Sequence, residues 1–276
     1  MGGSLARALT SLDRAPSVVA WSPDEGEGRA ALRAGAADEA PSTVAAAVAD
    51  ADLVVLAAPL EASRRLLVDV ARAAPPDATL SDVVSLKEPM ARAAEAAGVA
   101  NRWVGAHPMA GGEASGFAAS RSDLYTGARV WTVACPDATS ARVEGVHALW
   151  RAVQARPSTI DADAHDRLMV FVSHLPQAIA TTLVGIFMRS DVSPQDMGPA
   201  ARGMTRLACS SPSMWLDLFA HAPSDLPRAL RDLAARSAEL AEVLERADPE
   251  ALASLGRLMA ETGAWRRDAR GSGGNA

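Results

Sequence analysis

Short apolar, β-branched runs alternate with Ala-rich stretches in the first half of the chain. The runs are SVVAW at 17–21, DLVVLAA at 52–58, ATLSDVV at 78–84 and RVWTVA at 129–134, and the Ala-rich stretches include 26–36 and 61–74. That rhythm predicts βαβ units with a parallel sheet. RPSTI at 156–160 adds one last candidate strand. From about Asp161 the period changes: Leu168, Val172, Leu175, Ile179, Leu183 and Ile186 recur every three or four residues and outline one apolar helical face. Pro176 lies inside that stretch, lacks an N–H and crowds the carbonyl of Val172, so a kink or break is expected there. Leu226, Leu230, Leu233, Leu240 and Leu244 mark a second amphipathic helix, and Asp248 with Pro249 opens a third. The expected organisation is α/β, a doubly wound sheet over 1–161, followed by an all-helical domain over 162–266 and a disordered tail at 267–276.

Composition narrows the chemistry. With 276 residues, 49% of them apolar, the chain can bury a sizeable core. A formal net charge of −6 with no concentrated basic face argues against a nucleic-acid partner and for small diffusible ones. Cys135 and Cys209 stand far apart with no metal-type spacing, which fits a reducing, cytoplasmic setting and predicts no metal site. Apolar runs such as LVVLAAPL fall short of the ~20 residues of a membrane span, so no membrane partner is expected.

The opening MGGSLARAL sets two glycines directly before a helical pattern. Glycine suits a close approach of backbone to another group, such as a phosphate at a helix N-terminus. In a dinucleotide-binding fingerprint these glycines sit at the first strand-to-helix turn, and an acidic residue closing the second strand holds the ribose. If SVVAW is that second strand, Gly2 is the last fingerprint glycine and the first strand is missing. Such a chain is expected to expose strand edges and fold poorly. The same opening also reads as a plain N-terminal helix. The residue at the ribose position is Ser22, which does not repel a 2′-phosphate, and Asp24 follows two residues later.

The stretch VGAHPMAGGEASGF at 104–117 delivers His107 at a strand end, where doubly wound folds place ligands. An imidazole titrates near neutrality and can take a proton from a hydroxyl. Taken alone, His107 also reads as a hydrogen-bonded loop residue. Upstream, SDVVSLKEP brings Ser85 and Lys87 to another strand end, where they either serve the imidazole and an anion or simply close the strand.

GAHPMAGGEASGF, DVVSLK, VSHLPQAIA at 172–180 and MTRLACSSPSMW at 204–215 follow one another in the order found in the prephenate/arogenate dehydrogenase family of tyrosine biosynthesis, and the chain resembles that family from Met1 to about residue 265. The resemblance implies a Rossmann-type domain followed by a helical one, and NAD or NADP as cofactor; the Leu-rich helical faces exceed what one small bundle buries, so the helical half is expected to pair with a second copy. It implies that His107 accepts the proton of the substrate's ring hydroxyl while hydride leaves the same carbon, and that CO2 is lost as the ring becomes aromatic. Ser85 and Lys87 would assist at that hydroxyl and the cofactor. Arg206, Glu113, His174, Gln177 and Trp215 would bind the substrate, prephenate or arogenate. Gly2, Gly3, Ser4, Ser22, Ala58 and Pro59 would line the cofactor. Gln177 stands where many members have a histidine, and Gly203 where many have an acid, which leaves keto acid or amino acid open. A truncated non-catalytic homologue, an interaction protein and another small-acid dehydrogenase remain as alternatives.

Overall fold

The computed structural model describes residues 1–111 and 116–271. The chain forms two compact units, Met1–Pro223 and Ser224–Ala276. In the first, α1 (Gly2–Thr10), α2 (Glu25–Arg33) and α3 (Val44–Val48) precede β1 (Leu53–Leu56). Then come α4 (Leu60–Ala73), β2 (Thr79–Asp82), α5 (Glu88–Ala96), β3 (Val104–Pro108), β4 (Arg129–Ala134), α6 (Ser140–Ala152) and β5 (Arg156–Thr159). Helices α7 (Ala162–Met169), α8 (Leu175–Arg189), α9 (Pro199–Thr205) and α10 (Pro212–Ala220) complete this unit. The second holds α11 (Asp225–Arg246) and α12 (Pro249–Gly271), which pack on each other.

The alternation within β1 builds a core on each face of the sheet. Val54 and Leu56 join Leu67 and Val70 of α4 and Met90 and Ala94 of α5. Leu53 and Val55 point the other way, toward Leu5 and Ala8 of α1 and Val146 and Trp150 of α6.

Strands β1 and β2 are parallel, a parallel bridge from Leu80 to Trp103 leads toward β3, and β4 pairs with β5 in parallel. The all-parallel expectation fails between β3 and β4, which are antiparallel with His107 opposite Trp131. A parallel return needs a long crossover, usually a helix, whereas the described part of 109–128 contains only the single turn Phe117–Ala119. The predicted strand at 17–21 reduces to one bridge, Val19 to Glu39. Its neighbour segment runs into Pro41, which has no amide to extend the ladder.

Pro176 does not break the helical run but widens it. Val170–His174 form a π-helical turn in which the Leu175 amide reaches back to the Val170 carbonyl. This five-residue spacing relaxes the backbone where Pro176 supplies no donor to Val172. The resulting continuous helix Ala162–Arg189 is long and apolar enough to cross a membrane by length and composition, contrary to the expectation from short runs, with an apolar window only 22% buried. Asp248 caps α12 by accepting the Ala251 amide at 2.7 Å, and the helix continues to Gly271, into the tail expected to be disordered. Residues 272–276 of that tail lie outside the described residues.

Gly105 of β3 has no room for a side chain: a Cβ there would meet the Trp103 ring at 2.4 Å and Asp82 Oδ2 at 3.0 Å. Gly105→Ala is therefore expected to destabilise the fold by about 1–3 kcal/mol. Urea unfolding of the variant checks this, and an unchanged midpoint contradicts the packing described.

Candidate functional site

The C-terminal ends of β2 and β3 meet around a buried ion pair. Asp82 and Lys87 are both wholly enclosed, and the Lys87 ammonium donates to Asp82 Oδ1 and, at 2.8 Å, to the Ala106 carbonyl. Asp82 also accepts the Val84 amide at 3.0 Å and the Trp103 indole N–H at 3.0 Å. Burial pushes the Lys87 pKa down, against the pull of Asp82. Lys87, expected to assist at the hydroxyl and the cofactor, has no exposed surface and ties the strand ends together through the carbonyl of Ala106, the residue before His107.

His107 closes β3, and its Nδ1 lies 3.0 Å from Nε2 of His165 on α7. Nδ1 of His165 lies 2.7 Å from Asp166 Oδ1. Asp166 in turn accepts the backbone amides of Lys87 at 2.8 Å and Glu88 at 2.9 Å. Those amides open α5, whose N-cap side chain makes no capping bond, so α7 satisfies the helix end from outside. The carboxylate fixes the tautomers down the line. Asp166 accepts a hydrogen bond from His165 Nδ1–H, so His165 Nε2 is an acceptor, and it accepts one from His107 Nδ1–H. The lone pair of His107 Nε2 is left for a ligand. Burial holds the His107 pKa well below the usual imidazole value, reinforced by His165, Lys87 and His174.

A second polar group stands alongside. His174 is 1% exposed, and neither ring nitrogen has a hydrogen-bond partner among the described residues. Its ring meets Trp215 edge-on, with centroids 6.0 Å apart. Gln177 donates to Thr181 Oγ1 at 3.4 Å, while its Oε1, like Trp215 Nε1, is buried without a partner among the described residues. Buried polar atoms left open in this way mark a place where a polar ligand or water belongs. Burial also lowers the His174 pKa, with Asp166 opposing.

The remaining candidates are spread around this centre. Ser85 is half-buried in the loop between β2 and α5. Arg206 is exposed on the single turn Arg206–Cys209, which packs against α8. Glu113 lies outside the described residues. On the cofactor side, a Cβ on Gly2 would stand 2.9 Å from Ala57 Cβ, and one on Gly3 would stand 2.8 Å from Phe117. Gly2 thus seats α1 beside Ala57, which opens the turn through Ala58 and Pro59 from β1 into α4, and Gly3 seats it against Phe117. Ser4, in the first turn of α1, is 2% exposed and its hydroxyl accepts the Arg121 amide at 3.1 Å. Ser22 accepts the Asp24 amide at 3.2 Å, and the Asp24 carboxylate caps α2 through Gly26 at 2.8 Å. Sequence reasoning missed His165, Asp166 and Asp82. The adjacent pair in DADAHDRLM was the available signal for the first two, just ahead of the apolar stripe.

The family model for the prephenate dehydrogenase nucleotide-binding domain matches residues 5–158, and that for the prephenate dehydrogenase dimerization domain matches 161–261. Prephenate dehydrogenase of Bacillus subtilis (strain 168) is 28% identical over 227 residues, 80% of this chain, which spans 61% of that protein. Cyclohexadienyl dehydrogenase of Zymomonas mobilis is 28% identical over 236 residues, covering 82% of this chain and 80% of that protein. A crystal structure of prephenate dehydrogenase from A. aeolicus in complex with hydroxyphenyl propionate and NAD+ superposes with a TM-score of 0.85. It is 26% identical, over 96% of this chain and 94% of that one.

The depressed imidazoles make stability depend on pH. An unfolded histidine takes up its proton near pH 6.5, while folded His107 and His174 resist it. Their contribution is fully present above about pH 6.5 and is lost as pH falls below it, by up to about 1.4 kcal/mol per pH unit for each group. Denaturant unfolding between pH 8 and pH 5 should show this fall, and His107→Asn should lessen it; a flat profile contradicts the burial described.

Proposed function

We propose, from the premise that the chain belongs to the prephenate dehydrogenase family, that it carries out the NAD(P)-dependent oxidative decarboxylation of a cyclohexadiene acid, prephenate or arogenate. The observation that carries this reading is the buried His107–His165–Asp166 line, which presents one unprotonated imidazole nitrogen at the end of β3. His107 Nε2 accepts the ring hydroxyl proton. The hydride on the same carbon leaves, the ring carboxylate departs as CO2, and the bonding pair it releases completes an aromatic ring. The ring oxygen, left as a phenolate, takes the proton back from His107, and the product is 4-hydroxyphenylpyruvate or tyrosine. A bound nicotinamide supplies the hydride acceptor.

His107 stays neutral because its site is dry and its neighbours are cationic or ring nitrogens, so it is ready as a base near neutral pH. His165 and Asp166 are positioning residues that hold its tautomer, and Lys87 and Asp82 hold the strand that carries it. The open nitrogens of His174 and Trp215 and the Gln177 oxygen suit the polar side chain of the substrate, and Arg206 a carboxylate. Gly2, Gly3, Ala58, Pro59 and Ser22 are the residues that would hold the dinucleotide: the close seating of α1 on the 57–59 turn is the fit such a site needs. We further propose a cytoplasmic homodimer joined through the helical part. Phe171 (56% exposed), Ile186 (47%) and Met188 (77%) leave an apolar surface on α7–α8 that a second copy would cover.

The direct test is an assay of prephenate and arogenate with NAD+ and NADP+, read at 340 nm. His107→Asn should lower turnover roughly 10²–10⁴-fold with little change in substrate affinity. Arg206→Ala should chiefly raise KM. Full turnover in His107→Asn removes the proton-acceptor role. Sedimentation at micromolar concentration should give a dimer, and a monomer there refutes the pairing.

A further inference from the structure

A groove of about 490 Å3 runs between α4 and the C-terminal end of α5, and none of its lining residues is among those assigned to the reaction. Arg64, Arg65 and Arg72 line it, and Val68, Ala93 and Ala96 give it an apolar floor. Arg65, Val68 and Arg72 follow at i, i+3 and i+7 on one helical face. The lining carries three guanidiniums against one carboxylate, Glu61, in a chain whose formal net charge is −6. Neither Arg65 nor Arg72 has an ion-pair partner among the described residues.

Arg64 links this groove to the rest of the unit. Its Nη1 pairs with Glu61 Oε1 and lies 3.4 Å from His221 Nε2, while its Nε is buried without a partner among the described residues. Glu61, Asp217 and His221 place ligand atoms within 4.8 Å of one another, the spacing of a cation site, and the Arg64 guanidinium already supplies the cation. The Glu61 amide also donates to Asp217 Oδ2 at 3.3 Å. The knot clasps the first turn of α4, next to the 57–59 turn, to α10, the helix that carries Trp215.

We propose that this groove binds a small organic carboxylate with an apolar body and serves as an effector site. The carboxylate takes the guanidiniums of Arg65 and Arg72 and competes with Glu61 for that of Arg64, and the apolar body lies on Val68 and the α5 alanines. An anion that draws Arg64 from Glu61 and His221 loosens the α4–α10 clasp, so its binding is coupled to the position of Trp215 and of the 57–59 turn.

Hydrogen–deuterium exchange of the whole protein, with 3-phenylpropionate in one arm and inorganic phosphate in another, tests the site without requiring any activity. The expected result is slower exchange over 65–73 and 88–97 with phenylpropionate, faster exchange at 60–63 as the clasp loosens, and little change with phosphate. Arg65→Ala/Arg72→Ala should abolish that protection and weaken binding roughly tenfold per guanidinium. Equal protection in the double variant overturns the site, and equal protection by phosphate overturns the ligand class. In turnover assays phenylpropionate should show a noncompetitive component in the parent protein. The double variant should lose it while keeping the parent's basal rate, and retention of that component overturns the coupling. If no dehydrogenase activity is found, the exchange arms still decide the groove.

Discussion

Two opposite charges buried side by side, Asp82 and Lys87, govern where everything reactive in this protein sits. Desolvating both is costly, and the cost is offset by further fixed partners: the Ala106 carbonyl for Lys87, and the Val84 amide and the Trp103 indole for Asp82. Losing either charge would strand the other, a defect of about 3–5 kcal/mol. The pair therefore holds the ends of β2 and β3 in a single arrangement, and His107 follows directly from it.

The same economy of partners joins the sheet to the helices after it. The first amides of α5 have no cap of their own, and Asp166 of α7 satisfies two of them. That contact carries the compact unit past residue 161, where the hydrophobic period changes, and on to Pro223. It also leaves Asp166 oriented toward His165, so one carboxylate both docks α7 and sets the protonation pattern of two imidazoles. The π turn at 170–174 then brings His174 beside Trp215, where polar atoms stay open.

Periodicity decided much of this in advance. The alternation of Leu53, Val54, Val55 and Leu56 and the three-to-four spacing from Leu168 onward are local consequences of side-chain geometry, so strands, helices and the change near Asp161 were readable. Motif order was enough to identify the family and to single out His107, His174, Gln177 and Trp215. Pairing direction was not readable, because β3 and β4 look alike whether parallel or antiparallel, and only the return of the 109–128 connection settles it.

What the sequence by itself determined, then, is most of the strands and helices, the change of period near Asp161 and the motifs that carry the family resemblance. The tertiary structure alone decided that Lys87 is enclosed and Ser4 occupied, that His165 and Asp166 stand behind His107, and that three arginines of α4 open onto one groove. The reason is physical: burial, tautomer and hydrogen-bond partner are properties of neighbours in space. The partners here are separated by as many as 157 residues along the chain, a distance no local pattern spans.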